Sequence, residues 1–492
     1  EGPRRGRARR LERGQQRQRE QERVQRVHLR SEALRPERTA DGEGDRRRER
    51  GDPIGAPAAH EDPQHARRAR TPVVNVVGDQ ASYHKPLDPP LAADTDGWAR
   101  GVSAWTRTAA TAASIGYDAA AAIQAARIAP GQIATLIAPA DTCWDEGGVV
   151  APPLAVPAPA MVAPHRIGEI ARLLRGPEPV LLLLGGAALA PAALADAYRI
   201  AAATGARLLA QSFNGRVERG RGRYPIERLA YGVQQAMATL AAFKHIVLIG
   251  ATPPVAPFAY PGRPGSLSPA EAQLHVFARP EHDLAAALAA LAEAVSAPRP
   301  VLPEAAPAEG VAKGALTPES VTRTLAALLP ENAIVVDESV SFGRAFFNGL
   351  AGAAPHDWLQ ITGGAIGSGL PMATGAAVAA PGRRVVTLQA DGSAMYTVQA
   401  LWTQAREKLP VTTVILSNRK YAILLSELAN VGANPGPVAL GMLDLGRPDI
   451  GWVDLARGLG VDGARAETMD AFITLFTAAN KTADPFLIEL MI

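Results

Sequence analysis

The chain of 492 residues contains one cysteine, Cys143. A lone thiol excludes an internal disulfide and fits a reducing cytoplasm. Cys143 itself reads as a small buried hydrophobe rather than a nucleophile. Aromatic residues supply only 5% of the chain. No signal peptide or membrane-spanning helix is evident: the apolar run Val180 to Ala195 is broken by Gly185, Gly186 and Pro191, and reads as strand, turn and helix. His84, His165, His245, His275, His282 and His356 are scattered without an i, i+4 pair, so no zinc-type ligand set is expected.

The first 70 residues lack lysine altogether, yet hold about 20 arginines against about 13 acids. That segment carries roughly +7, while the whole chain is +3, leaving about −4 for the rest. Residues 1–66 show neither helical nor strand periodicity and read as a disordered or aberrant basic segment. Three readings stand: a basic arm for nucleic acid or anionic surfaces, a solvated tail, or an out-of-frame translation of GC-rich coding sequence. The missing lysine favours the third. Without aromatics, the segment offers no stacking platform for single strands, so nucleic acid is not the expected partner.

What is present is a large, patterned α/β body. At 47% apolar residues the chain can bury several cores, and its length suggests about three domains. Strands over Pro72 to Val77 and Ile133 to Ala138 bracket helical sequence in a first domain, 67–150. A proline-rich linker, Pro152 to Pro164, leads to a central Rossmann-like domain, 165–296. Its strands are expected at Val180 to Leu184, Ala206 to Ala210, His245 to Ile249 and Leu274 to Phe277, separated by alanine-rich helices. A third domain spans 311–492. The expected fold class is α/β, with parallel sheets flanked by helices.

The most informative stretch is Ala390-Asp391-Gly392-Ser393, with Asn418 27 positions beyond the aspartate and Lys420 after it. Arg384 to Gln389 reads as a buried strand ending on Asp391. Tyr396 to Lys408 reads as an amphipathic helix with Val398, Leu401, Trp402 and Ala405 on one face, and Pro410 stops it. Val411 to Leu416 is a second strand, delivering Asn418. Parallel neighbours would then present a carboxylate and an amide side by side, which suits Mg²⁺ with its demand for about six oxygens. Gly392 and Ser393 open a helix, where free N–H groups favour a diphosphate.

These residues resemble the diphosphate-binding segment of thiamine diphosphate (ThDP) enzymes, whose signature is G-D-G followed at a distance by N-N. Asp337-Glu338-Ser339-Val340-Ser341 and Thr362 to Pro371 extend the resemblance toward acetolactate synthase and benzoylformate decarboxylase. Residues from about 67 to 492 look most like an acetolactate synthase large subunit. The resemblance implies that Asp391, Asn418 and the Lys420 carbonyl bind Mg²⁺, and that Gly392, Ser393 and Ser341 hydrogen-bond the diphosphate. It implies that the Gly364 carbonyl meets the aminopyrimidine, and that Ile366 is the aliphatic post bending the cofactor. A β-branched residue suits a post because its χ1 is stiff.

The sequence departs from the pattern at three places. Ala390 replaces the first glycine, Ser417 the first asparagine, and Arg419 stands where glycine is usual. Gly185-Gly186-Ala187 follows a strand but lacks a full G-x-G-x-x-G, and no residue there supports FAD. The family's activating glutamate is also not found: no helix before Thr71 matches its surroundings. The implied activity is decarboxylation of a 2-oxo acid such as pyruvate, with carboligation to acetolactate. Simple decarboxylation, as in benzoylformate decarboxylase, and a ThDP-binding but catalytically silent truncated chain remain open. A homodimer or tetramer is implied. His84 and Lys85 lie in a loop near the expected substrate side, though a plain loop suffices to explain them.

Overall fold

The computed structural model describes residues 63–299, 301–302 and 306–492. Expectations placed on residues 1–62 lie outside them. Three strands form the first sheet: β1 (Val73–Asp79), β2 (Trp105–Thr108) and β3 (Ile133–Pro139), in the order β1-β3-β2 and all parallel. β3 is buried along its whole length, as expected of an apolar central strand. The helix Ile115–Arg127 lays Ala122, Ala125 and Ala126 against Ala134 and Leu136 of that strand. β1 lies at the edge, and its alternate residues Val74 and Val76 are exposed.

The second sheet uses β4 (Val180–Leu184), β5 (Arg207–Ala210), β7 (His245–Ile249) and β8 (Gln273–Ala278), ordered β5-β4-β7-β8. The intervening β6 (Arg216–Arg219) leaves this sheet. The helix Pro191–Thr204 joins β4 to β5 and ends at Gly205, whose φ of 74° gives the left-handed stop that glycine adopts freely.

Six more strands make the third sheet: β9 (Ala333–Glu338), β10 (His356–Gln360), β11 (Val385–Ala390), β12 (Val411–Ser417), β13 (Asp462–Ala466) and β14 (Phe486–Met491). Its order is β13-β14-β12-β11-β9-β10-β6. β6 is the one antiparallel member, pairing Trp358 with Val217, and it ties the second region to the third. One apolar cluster runs through both, from Leu182 and Ile249 to Trp358, Phe472 and Ile488.

This order creates a topological switch. The chain passes from β9 outward to β10, then crosses back to β11 on the other side of β9. Loops leaving the carboxyl ends of β9 and β11 therefore diverge and open a crevice, the usual ligand position in an open parallel sheet. The segments 337–341, 362–371, 390–393 and 417–420 all end or follow strands of this sheet.

Two local expectations are corrected. The helix predicted over Tyr396 to Lys408 is shorter, Ala400–Arg406. Tyr396, Thr397 and Ala400 instead make i→i−3 turns, and the Thr397 hydroxyl bonds the Gly367 carbonyl, holding the chain out of helical register. Trp402 is 51% exposed and lies under the Arg406 guanidinium at 5.4 Å, so Ala400 and Leu401, flanked by Val398 and Ala405, fill the core there instead. Cys143 is likewise exposed, on the short helix that follows β3.

His356 at the start of β10 is 3% exposed; its Nδ1 donates to the Ala354 carbonyl at 2.7 Å and its Nε2 has no partner. Burial pulls the imidazole pKa down to about 4. A base depressed from its ordinary value near 6.5 binds its proton more readily unfolded, so its contribution is complete above pH 6.5 and disappears on acidification towards pH 4. His356→Asn keeps a donor for Ala354 without the titration. The variant should lose less stability than the parent between pH 6.5 and 4 in denaturant melts; equal losses would count against His356 as the source.

Candidate active site at the carboxyl edge of the third sheet

Register brings the first pair together. Ala390 of β11 lies opposite Leu416 of β12, which places Asp391 beside the Ser417-Asn418 turn. The Asp391 carboxylate, 2% exposed, accepts from Gly392 N at 2.8 Å and from Arg419 N at 2.6 Å. Burial pushes this carboxyl up, while the N–H groups of Arg419, Gly392 and Asn418 work against that shift. Among the described residues no cationic side chain pairs with it. The Arg419 guanidinium turns instead to Asp449, at 3.4 Å.

Asn418 Oδ1 accepts from Lys420 N at 2.9 Å, closing a tight polar turn. Arg419, at its centre, has φ +57°, the left-handed conformation that makes glycine usual there. Ala390 keeps φ at −71°, so its replacement of glycine is harmless. Arg419→Gly should raise stability by about 1 kcal/mol. Relief of the strained φ exceeds the loss of a half-exposed ion pair, typically worth at most about 1 kcal/mol. A rise of a few degrees in melting temperature would show it, and a fall would mean the Asp449 contact dominates.

Gly392 is needed for a close approach: an added Cβ would come 2.5 Å from the Tyr421 ring. Ser393 is buried, accepts from Gln389 Nε2 at 2.7 Å and donates to the Ala390 carbonyl at 3.1 Å. Asp391, Gly392, Ser393, Asn418 and Lys420 thus form one cluster. Ser341 is half-buried just after Val340, another left-handed residue, on the loop that follows β9. Gly364 and Ile366 sit on the loop after β10; Gly364 is exposed with φ +79°, and Ile366 is half-buried. These three reach the same sheet edge from other strands and make no direct bond to the Asp391 cluster.

Motif reading passed over Glu338. It closes β9, is 1% exposed, and accepts from Gly367 N at 2.5 Å and from Gly369 N. A charged residue ending a fully buried apolar strand was the available signal. In the first sheet region, Lys85 is paired with Asp79, and Asp141 accepts from both the backbone and hydroxyl of Ser82. Those hydrogen bonds hold both aspartates below the usual carboxylate range. The only glutamate within 63–150 is Glu146, which is exposed. Among the described residues, no helix is long and apolar enough to cross a membrane.

Comparison with known proteins places this geometry. Residues 346–490 match the family described as thiamine pyrophosphate enzyme, C-terminal TPP binding domain. A putative acetolactate synthase large subunit of Mycobacterium tuberculosis is 50% identical over 431 residues, covering 87% of this chain and 83% of that protein. A benzoylformate decarboxylase of Pseudomonas aeruginosa is 35% identical over 42% of this chain and 39% of its own. The solved ThDP-dependent 4-hydroxybenzoylformate decarboxylase of Rhodococcus jostii superposes with a TM-score of 0.71 at 27% identity, covering 87% of this chain and 83% of that one. The chain belongs to the thiamine diphosphate-dependent enzyme family. Within it, the chain is acetolactate synthase-like.

Proposed function

We propose that this chain binds ThDP with Mg²⁺ at the carboxyl edge of the third sheet and acts on 2-oxo acids, joining two pyruvates into acetolactate with loss of CO₂. The observation that carries the proposal is Asp391: a buried carboxylate with N–H partners but, among the described residues, no cationic side chain, seated beside the Asn418–Lys420 turn and its amide oxygen. A divalent ion supplies the charge that such a carboxylate lacks, and the donor set is all oxygen, as Mg²⁺ prefers. Asp391, Asn418 and the Lys420 carbonyl would hold the ion, and Gly392, Ser393 and Ser341 the diphosphate. Gly364 would present its carbonyl to the aminopyrimidine, and Ile366 would support the bent cofactor. The cofactor, when bound, supplies the carbanion chemistry and electron sink that decarboxylation needs.

The acetolactate reading rests on the relative that spans most of the chain, and a homodimer or tetramer is part of that reading. Plain decarboxylation is the neighbouring activity, supported by the benzoylformate decarboxylase likenesses. A cofactor-binding chain without turnover is favoured by one observation: among the described residues of the first sheet region, 63–150, the sole glutamate is Glu146, and it is exposed. Calorimetric titration with ThDP and Mg²⁺, alongside product analysis from pyruvate, separates the three. Binding with acetolactate supports the proposal, CO₂ with free aldehyde favours the decarboxylase, and binding without turnover favours the silent chain. No binding at all would remove all three.

A further inference from the structure

We infer that His65 and Glu338 are positioning residues for the glycine-rich loop 362–369, gripping its backbone from both ends and leaving Gly364 and Ile366 free to face a ligand. The inference builds on the proposal that this loop meets the cofactor. His65 is 1% exposed, some 300 residues away in sequence, on the helix Pro63–Ala69 that precedes β1. Its Nδ1 accepts from Thr362 N at 3.0 Å and Gly363 N at 2.8 Å, while its Nε2 lies 2.5 Å from the Ala365 carbonyl. The Thr362 hydroxyl donates to the His65 carbonyl at 2.8 Å.

This arrangement fixes the tautomer. A ring nitrogen that accepts two N–H groups carries no proton, so Nε2 holds the hydrogen and donates to Ala365. At the other end, Glu338 accepts from Gly367 N and Gly369 N, and the Thr397 hydroxyl donates to the Gly367 carbonyl. Among the described residues, no hydrogen bond engages the backbone of Gly364 or Ile366. The held groups are therefore those flanking the two residues assigned to the ligand.

A side-chain grip is needed because the loop cannot hold itself. Gly364 and Gly367 both have positive φ, at +79° and +105°, and glycine-rich backbone without regular partners samples many shapes. Fixing that shape in advance removes an ordering cost from ligand binding.

Amide hydrogen exchange on the intact chain, without ligand, tests the grip through near-isosteric variants. His65→Asn places Oδ1 where Nδ1 sits and should retain the protection of Thr362 and Gly363. His65→Gln loses that acceptor, and those amides should exchange roughly tenfold faster. Glu338→Gln keeps one acceptor oxygen, so one of the Gly367 and Gly369 amides should exchange faster while Thr362 and Gly363 stay as before. ThDP affinity in the presence of Mg²⁺ should follow the same order, near parental for His65→Asn and roughly tenfold weaker for the other two. Equal exchange in His65→Asn and His65→Gln, or a rise spread evenly over the protein, would overturn the inference. If the parent binds no ThDP, the functional proposal fails, whereas the exchange data still decide the grip.

Discussion

Asp391→Asn is expected to weaken Mg²⁺-dependent ThDP binding at least about a hundredfold, while the ligand-free protein melts within a few degrees of the parent. The two side chains are nearly the same shape, so packing is preserved. The electrostatics are not. Both Asp391 oxygens accept backbone N–H groups, from Gly392 and Arg419. An amide has one acceptor oxygen, and its NH₂ must face one of those donors, leaving a buried pair opposed at about 1–3 kcal/mol. The larger loss is the charge itself. A divalent ion at this turn would otherwise see only neutral oxygens from Asn418 and Lys420. In the ligand-free state the same substitution removes a carboxylate whose ionisation burial already disfavours, which offsets the opposed donors. Function and stability should therefore separate. Asp449→Asn is the control: Asp449 meets the exposed Arg419 guanidinium and not the backbone N–H groups that bond Asp391, and its removal should change affinity by less than about threefold. Calorimetric titration of ThDP at fixed Mg²⁺ reads both variants. Parental affinity in Asp391→Asn would place the ion elsewhere.

The Asp391–Asn418 pairing was legible because it depends on local, repetitive physics. Two apolar β-branched runs flank a helix, and consecutive parallel strands put the residues that follow them at one edge. The strain at Arg419 was also readable as a condition, since a non-glycine residue in that turn matters only if φ is positive, and it is. What escaped was everything set by distant chain. β6 has no apolar alternation that marks it as part of the third sheet; its pairing with β10 is decided by Arg216 reaching Asp357 and by Val217 lying beside Trp358. His65 sits in polar sequence whose pattern promises nothing, and only the fold brings it to Thr362. Glu338 was quoted within a motif, and a charge ending an apolar strand was its one signal, but its two glycine partners have no signature at the level of residue type. Trp402 shows the opposite error. Its position suited the apolar face of a helix, yet a shorter helix and Arg406 left it outside.

Phe347→Ala should cost about 4 kcal/mol, the largest stability loss of the substitutions named, because one buried ring packs against Trp358 of β10 and under two arginines, one of them on β6. Phe347 is 1% exposed and meets Trp358 edge-on, with centroids 5.6 Å apart and planes at 87°. The Arg219 guanidinium lies 3.7 Å from the ring centroid and that of Arg228 4.8 Å. Arg219 is 3% exposed and donates to the Ile226 carbonyl at 2.8 Å, while its Nε has no partner. Burial pulls its pKa down to about 9, so the charge is held at a cost that the ring face partly offsets. Truncation removes the aromatic contact and opens a cavity beside two desolvated cations. Phe347→Leu fills most of that volume without a π face and should lose roughly half as much, which separates packing from cation–π attraction. Shifts of the urea midpoint measure both, with two spectroscopic probes to check that the transition stays cooperative. Equal losses in the two variants would assign the whole effect to the ring face, near-parental stability in the leucine variant would assign the ring face no role, and a loss under about 1 kcal/mol for alanine would mean that the core refills the space. The consequence reaches the candidate site. Arg228 also donates to Gln360 at 2.5 Å, the last residue of β10 before the glycine-rich loop, so a core that slackens around Phe347 should loosen the seat of Gly364 as well.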